Sequence, residues 1–93
     1  MINDREALDL VNRLLRAPHT TPQLMRASGL SESAVWRRLK KARKLGVQLQ
    51  SRQIETNEHG RLTGPYYWEL VNAREVQDLI RSLNQLKGGV HER

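Results

Sequence analysis

The chain contains no cysteine and no phenylalanine. Without thiols there is no disulfide framework, no thiolate metal site and no cysteine nucleophile, a composition that suits a reducing compartment. Without phenylalanine, large apolar volume must come mainly from Trp36, Trp68, Tyr66 and Tyr67. No apolar run approaches the roughly 20 residues that a membrane-spanning helix needs. Asp4, Glu6 and Asp9 interrupt the region where a signal peptide would carry its apolar core. The expectation is a soluble, cytoplasmic protein. His19, His59 and His91 are scattered, with no partner at metal-ligand spacing, so neither a metal nor a cofactor is expected. A glycine-rich phosphate loop, a Ser/His/Asp set and a carboxylate pair in an apolar setting are all missing, which leaves an enzyme reading without support.

Acid is also scarce in the middle of the chain. Residues 26–52 hold eight Lys and Arg against Glu32 alone, whereas the segments before and after are close to neutral. The whole formal excess of +6 is therefore located there. A localised positive field implies a polyanionic partner, either nucleic acid or an anionic membrane surface. A length of 93 residues fits one small domain with a modest core.

Four helices and one hairpin are predicted. Asn3 with Glu6 forms a capping box for the first helix, and Pro18 ends it. Ala7, Leu8, Leu10, Val11, Leu14 and Leu15 cover a wide arc, enough for two neighbours. Thr21-Pro22 reads as the capped start of a short second helix carrying Leu24 and Met25, followed by a Ser28-Gly29-Leu30 turn. Ser31 caps a third helix that runs to about Leu45, with Gly46 as its stop. Val35, Leu39, Ala42 and Leu45 share one side of it. Ser33, Arg37, Lys40 and Lys44 share the other, with Lys41 beside them and Trp36 on the flank.

After Gly46 the period falls to two: Val47, Leu49 and Ile54 mark one strand, residues 57–64 the tip, and Tyr66, Trp68 and Leu70 the return. Asn72 and Glu75 form another capping box, Val71 and Val76 a hydrophobic staple, and Gly88-Gly89 ends the last helix. Its stripe of Val76, Leu79, Ile80, Leu83 and Leu86 either packs on the first helix or pairs with its counterpart in a dimer.

A short helix, a glycine turn, a basic helix and a hairpin in that order resemble the winged helix-turn-helix superfamily. Leu30-Ser31, Val35, Leu39, Leu45-Gly46-Val47, Gly64 and Trp68-Glu69-Leu70 carry the resemblance. It is strongest to the N-terminal domain of biotin-operon-repressor-type regulators and extends to small single-domain regulators of bacterial fimbrial operons. The expected fold is mainly α with a small β-hairpin, in the order helix, helix, helix, strand, strand, helix. The whole chain, residues 1–93, forms a single domain, with a winged core over about 3–71 and a dimerisation or packing helix over about 72–87.

The resemblance implies a bacterial or phage transcription regulator that binds double-stranded DNA, with the third helix in the major groove and the hairpin tip at the adjacent backbone. Residues near the start of that helix reach base edges, which assigns base reading to Ser33, Trp36, Arg37 and Lys40. Phosphate contacts fall to Lys41 and Lys44, with Ser31, Thr21, Gln23, Arg38 and Arg43 as further members and Arg52, His59 and Arg61 on the wing. Family wings are often basic, and here Glu55 and Glu58 share the tip.

Each assignment has a plainer counterpart. The basic face can be an ordinary solvated one, although Arg37/Lys41 and Lys40/Lys44 are repelling i,i+4 pairs with no nearby acid in sequence. Trp36 can finish the core, Ser31 and Thr21 can simply cap, and Arg38 and Arg43 can cover the apolar stripe with their stems. The Tyr66-Tyr67-Trp68 run can stack unpaired bases, but core packing of Trp68 and one tyrosine is the favoured reading. A homodimer is expected, and no small-molecule effector is indicated. Two other functions stay open: an architectural factor of recombination or replication, excisionase-like, and a winged module for protein contact.

Overall fold

The computed structural model describes the backbone of residues 2–91 and the side chains of residues 2–85. Helix α1 (Asp4–Asn12) continues into a 3₁₀ turn, Arg13–Leu15. Strand β1 (His19–Thr20), α2 (Thr21–Ser28), α3 (Glu32–Lys44), β2 (Leu49–Thr56), β3 (Leu62–Leu70) and α4 (Ala73–His91) follow. The three strands form one antiparallel sheet in the order β1-β3-β2.

The expected capping box of α1 is present: the Asn3 side chain accepts from the Glu6 N–H at 2.8 Å, and Glu6 accepts from the Asn3 N–H at 3.1 Å. The wide apolar arc of α1 does have two neighbours, α3 and α4. Ala7, Leu8, Leu10, Val11 and Leu14 are buried with Leu24 of α2, Val35, Leu39 and Ala42 of α3, and Val47, Trp68 and Val76. The two helices of the helix-turn-helix are joined through Gly29, whose φ of +73° lies in the left-handed region that favours glycine. The Ser31 hydroxyl caps α3 by accepting from the Ala34 N–H at 3.3 Å. Past Leu45, Gly46 turns the chain with a φ of +104°.

Several boundaries differ from the expectation. Thr20, not Thr21, caps α2: its hydroxyl accepts from the Gln23 N–H at 3.2 Å, and Gln23 returns the bond to the Thr20 N–H at 2.9 Å. Thr21 is then the first helical residue. β1 lies outside the predicted order of elements. It pairs His19 with Trp68 and Thr20 with Tyr67, and two residues are too short for any periodic signal.

Val71 and Val76 form no staple, because Val71 is exposed while Val76 is fully buried. The Asn72 side chain reaches backwards instead, accepting from the Gln48 N–H at 2.8 Å and donating to the Gly46 carbonyl at 2.9 Å. It thereby ties the exit of α3 to the end of β3. Helix α4 also continues through Gly88-Gly89 to His91. Glycine disfavours a helix by about 1 kcal/mol without forbidding it.

Candidate nucleic-acid interface

Three sides of α3 have different surroundings. Val35, Leu39 and Ala42 point into the core. Arg38 and Lys41 point to α1, where Arg38 lies 3.4 Å from Glu6 and Lys41 lies 3.5 Å from Asp4. Ser33, Trp36, Arg37, Lys40, Arg43 and Lys44 are exposed. Among the described residues, Arg37, Lys40, Arg43 and Lys44 make no ion pair. The sequence shows no acid near the basic run, but folding brings Asp4 and Glu6 against it. Lys41, expected beside Lys40 and Lys44, borders that face and pairs with Asp4, and Arg38 pairs with Glu6. The N–H of Asn3 is the main cause that holds the Glu6 carboxyl below its ordinary range, and the Arg38 charge adds to it.

Trp36 neither enters the core nor stands alone. Its indole meets that of Trp68 edge-on, with ring centroids 5.0 Å apart and planes at 80°. Trp68 is buried, and its Nε1 donates to the Thr21 hydroxyl at 3.0 Å. The Arg43 guanidinium lies 5.6 Å from the centroid of the Trp68 ring. One indole on β3 thus touches α2 and α3 together. The Thr21 hydroxyl and the Gln23 amide, both expected at phosphates, are engaged by Trp68 and by the cap of α2. At the start of α3, the Ser31 and Ser33 hydroxyls lie 3.4 Å apart, and Arg37 Nε donates to the Ser33 carbonyl at 3.4 Å.

The hairpin carries little positive charge. Arg52 is exposed but paired: its Nε donates to the Glu69 carboxylate at 2.6 Å, and Gln50 donates to the same carboxylate. Hydrogen bonding from Arg52 and then Gln50 holds Glu69 below the ordinary carboxylate range, and the bond to Glu69 raises Arg52 in turn. The Tyr67 hydroxyl donates to Glu55 at 2.5 Å, which raises its pKa. At the tip, the Asn57 side chain accepts from the N–H groups of His59 and Arg61 at 2.9 and 3.1 Å. The His59 ring lies 3.6 Å from the Glu58 carboxylate. Between Gln53 and Glu55 the register shifts, so that Gly64 and Pro65 of β3 stand opposite Ile54 of β2. Of the three aromatic residues in β3, Trp68 is buried, Tyr67 is half-buried, and Tyr66 is exposed.

In α4, Val76 is fully buried within its own chain, so it is not a surface residue for a second copy. Leu79, Ile80 and Leu83 are half-buried against the same core, and Arg5 donates to Asn84 at 3.0 Å across the α1–α4 contact. The side chain of Leu86 lies outside the described residues. No described helix is long and apolar enough to cross a membrane. No group of three or more described His, Asp or Glu residues is placed to hold a metal ion.

The missed elements were unequally legible. The Thr20-x-x-Gln23 capping box is a sequence pattern, overshadowed by Thr21-Pro22 one residue later. The Trp36–Trp68 and Lys41–Asp4 contacts join distant segments and leave no local signal. No curated protein matches the chain. Residues 3–47 match the family model for winged helix-turn-helix DNA-binding proteins, a span that runs from the cap of α1 to the exit of α3. With the hairpin and three-stranded sheet completing that fold, the chain carries a winged helix-turn-helix DNA-binding domain.

Proposed function

We propose that the chain is a sequence-specific regulator of transcription, of bacterial or phage type, that places α3 in the major groove of an operator. The observation that carries this reading is the outward face of α3, where Arg37, Lys40 and Lys44 stand exposed and without carboxylate partners among the described residues. Arg37 and Lys44 are seven residues apart, about 10 Å along the axis, a span comparable to the width of the major groove. Residues near the start of a recognition helix read base edges, so Ser33, Trp36, Arg37 and Lys40 take that role. Lys44 and Arg43, further along, contact phosphate, and Arg61 is the remaining phosphate candidate on the wing. Arg38, Lys41 and Arg52 are paired within the fold.

We further propose a homodimer through the half-buried edge of α4, at Ile80 and Leu83. One winged domain covers limited DNA, and a symmetric pair on a palindromic site doubles the contact. Selection of bound fragments from a random duplex pool tests the whole reading. Recovery of a conserved, two-fold symmetric motif is expected, and failure to retain any duplex at low salt would favour a protein-contact module.

A further inference from the structure

The cleft between α3 and the root of the hairpin is lined by Trp36, Arg37, Leu39, Lys40, Arg43 and Trp68 and has a volume of about 350 Å³. Leu39 and Trp68 are buried, and they give it an apolar floor. Trp36, 46% exposed, forms one wall. That wall is held in place, since Trp36 packs edge-on against Trp68, which is itself tied to Thr21 and lies beneath Arg43. Around the cleft stand Arg37, Lys40 and Arg43, none of them in an ion pair among the described residues.

An apolar slot rimmed by cations suits an occupant that is apolar at its tip and anionic on its flanks. An apolar peptide or a small hydrocarbon would leave the three cations without complement. The major groove of duplex DNA supplies both features, because the thymine C5 methyl group projects into it between two lines of phosphates. We infer that the Trp36–Trp68 cleft reads a thymine methyl group in the operator, which makes Trp36 a specificity-determining residue. The inference rests on the proposed function, in which α3 enters the major groove. Arg37 and Lys40 flank the methyl site and bond the neighbouring base edges and backbone. Trp68 acts through Trp36, as a positioning residue that keeps the exposed ring from collapsing over the slot.

The test uses the duplex recovered from the random pool, with each thymine replaced in turn by deoxyuridine, which lacks only the methyl group. At one position in each bound site the replacement should weaken binding about fourfold, the effect of removing one buried methyl-sized group. Trp36→Ala should bind the thymine and deoxyuridine duplexes equally, and Trp36→Leu should keep part of the difference. Circular dichroism confirms that both variants are folded. If Trp36→Ala does not fold, the wild-type scan and Trp36→Leu decide. A scan in which no thymine matters, or a folded Trp36→Ala that keeps the full difference, overturns the inference and leaves duplex binding intact. Recovery of no duplex at all overturns the proposed function, and the inference with it.

Discussion

The guanidinium of Arg38 stands 3.4 Å from the carboxylate of Glu6, on the side of α3 that faces α1. Lys41 repeats the arrangement with Asp4. Such partly exposed pairs are worth at most about 1 kcal/mol each. Burial of Val35, Leu39 and Ala42 sets which side of this very basic helix faces outward, and the two pairs take Arg38 and Lys41 out of the set of unpaired cations available to a polyanion.

Affinity and salt dependence should follow that division. Arg37→Ala should weaken operator binding and relax preference at one base pair, by about 1–3 kcal/mol. Lys44→Ala should weaken all duplexes alike and lower the slope of log K against log salt by about 1. Arg38→Ala should leave the slope unchanged. Titrations at several salt concentrations check all three, and a slope that falls equally for Arg38→Ala and Lys44→Ala would refute the division.

Removing the Thr21 hydroxyl should destabilise the fold. Thr21→Val keeps the shape and leaves the Trp68 Nε1–H without its acceptor, at a cost of about 1–3 kcal/mol. Urea denaturation measures it. Thr20→Ala, which removes the observed cap of α2, should cost about 1 kcal/mol. A neutral Thr20→Ala would contradict the cap.

Acid should loosen the hairpin and the start of α1. Hydrogen bonds lower Glu69, from Arg52 foremost, and Glu6, from the Asn3 N–H foremost, below the ordinary value of 4.5. A carboxylate depressed in the folded state contributes stability that is fully present above its unfolded pKa and is lost as pH falls through its folded pKa. Stability from these two groups should therefore hold from neutral pH to about 5 and decline below about 4.5. Glu69→Gln should reduce that decline. Tyr67 has the opposite sign: its pKa is raised above 10.0 by Glu55, so its contribution is present below that value and is lost as pH rises through the folded pKa. Denaturation curves between acid and alkaline pH test each sign.

Sedimentation decides the dimer. Wild type should sediment as a dimer, and Leu83→Glu as a folded monomer. Leu83 also touches the core, so the thermal midpoint of the variant is recorded alongside. A wild type that stays monomeric at every concentration tested removes the dimer from the proposal.

Local chemistry alone determined much of this protein. The Asn3/Glu6 box, the Ser31 cap, the positive-φ glycines 29 and 46 and the Val35-Leu39-Ala42 stripe depend on residues within a turn of one another. A sequence read in windows of that size therefore contains them. The expected basic face of α3 was legible for the same reason, in its position and its sign. Tertiary structure decided which of its cations remain available, because Asp4 and Glu6 are more than thirty residues away and meet α3 only when α1 packs on it. It likewise decided that Arg52 pairs with Glu69, that Thr21 receives the Trp68 N–H, that Asn72 ties two segments together, and that Val76 is buried within its own chain. Each of these depends on which distant groups come within about 4 Å, a property of the packed core that no sequence period encodes.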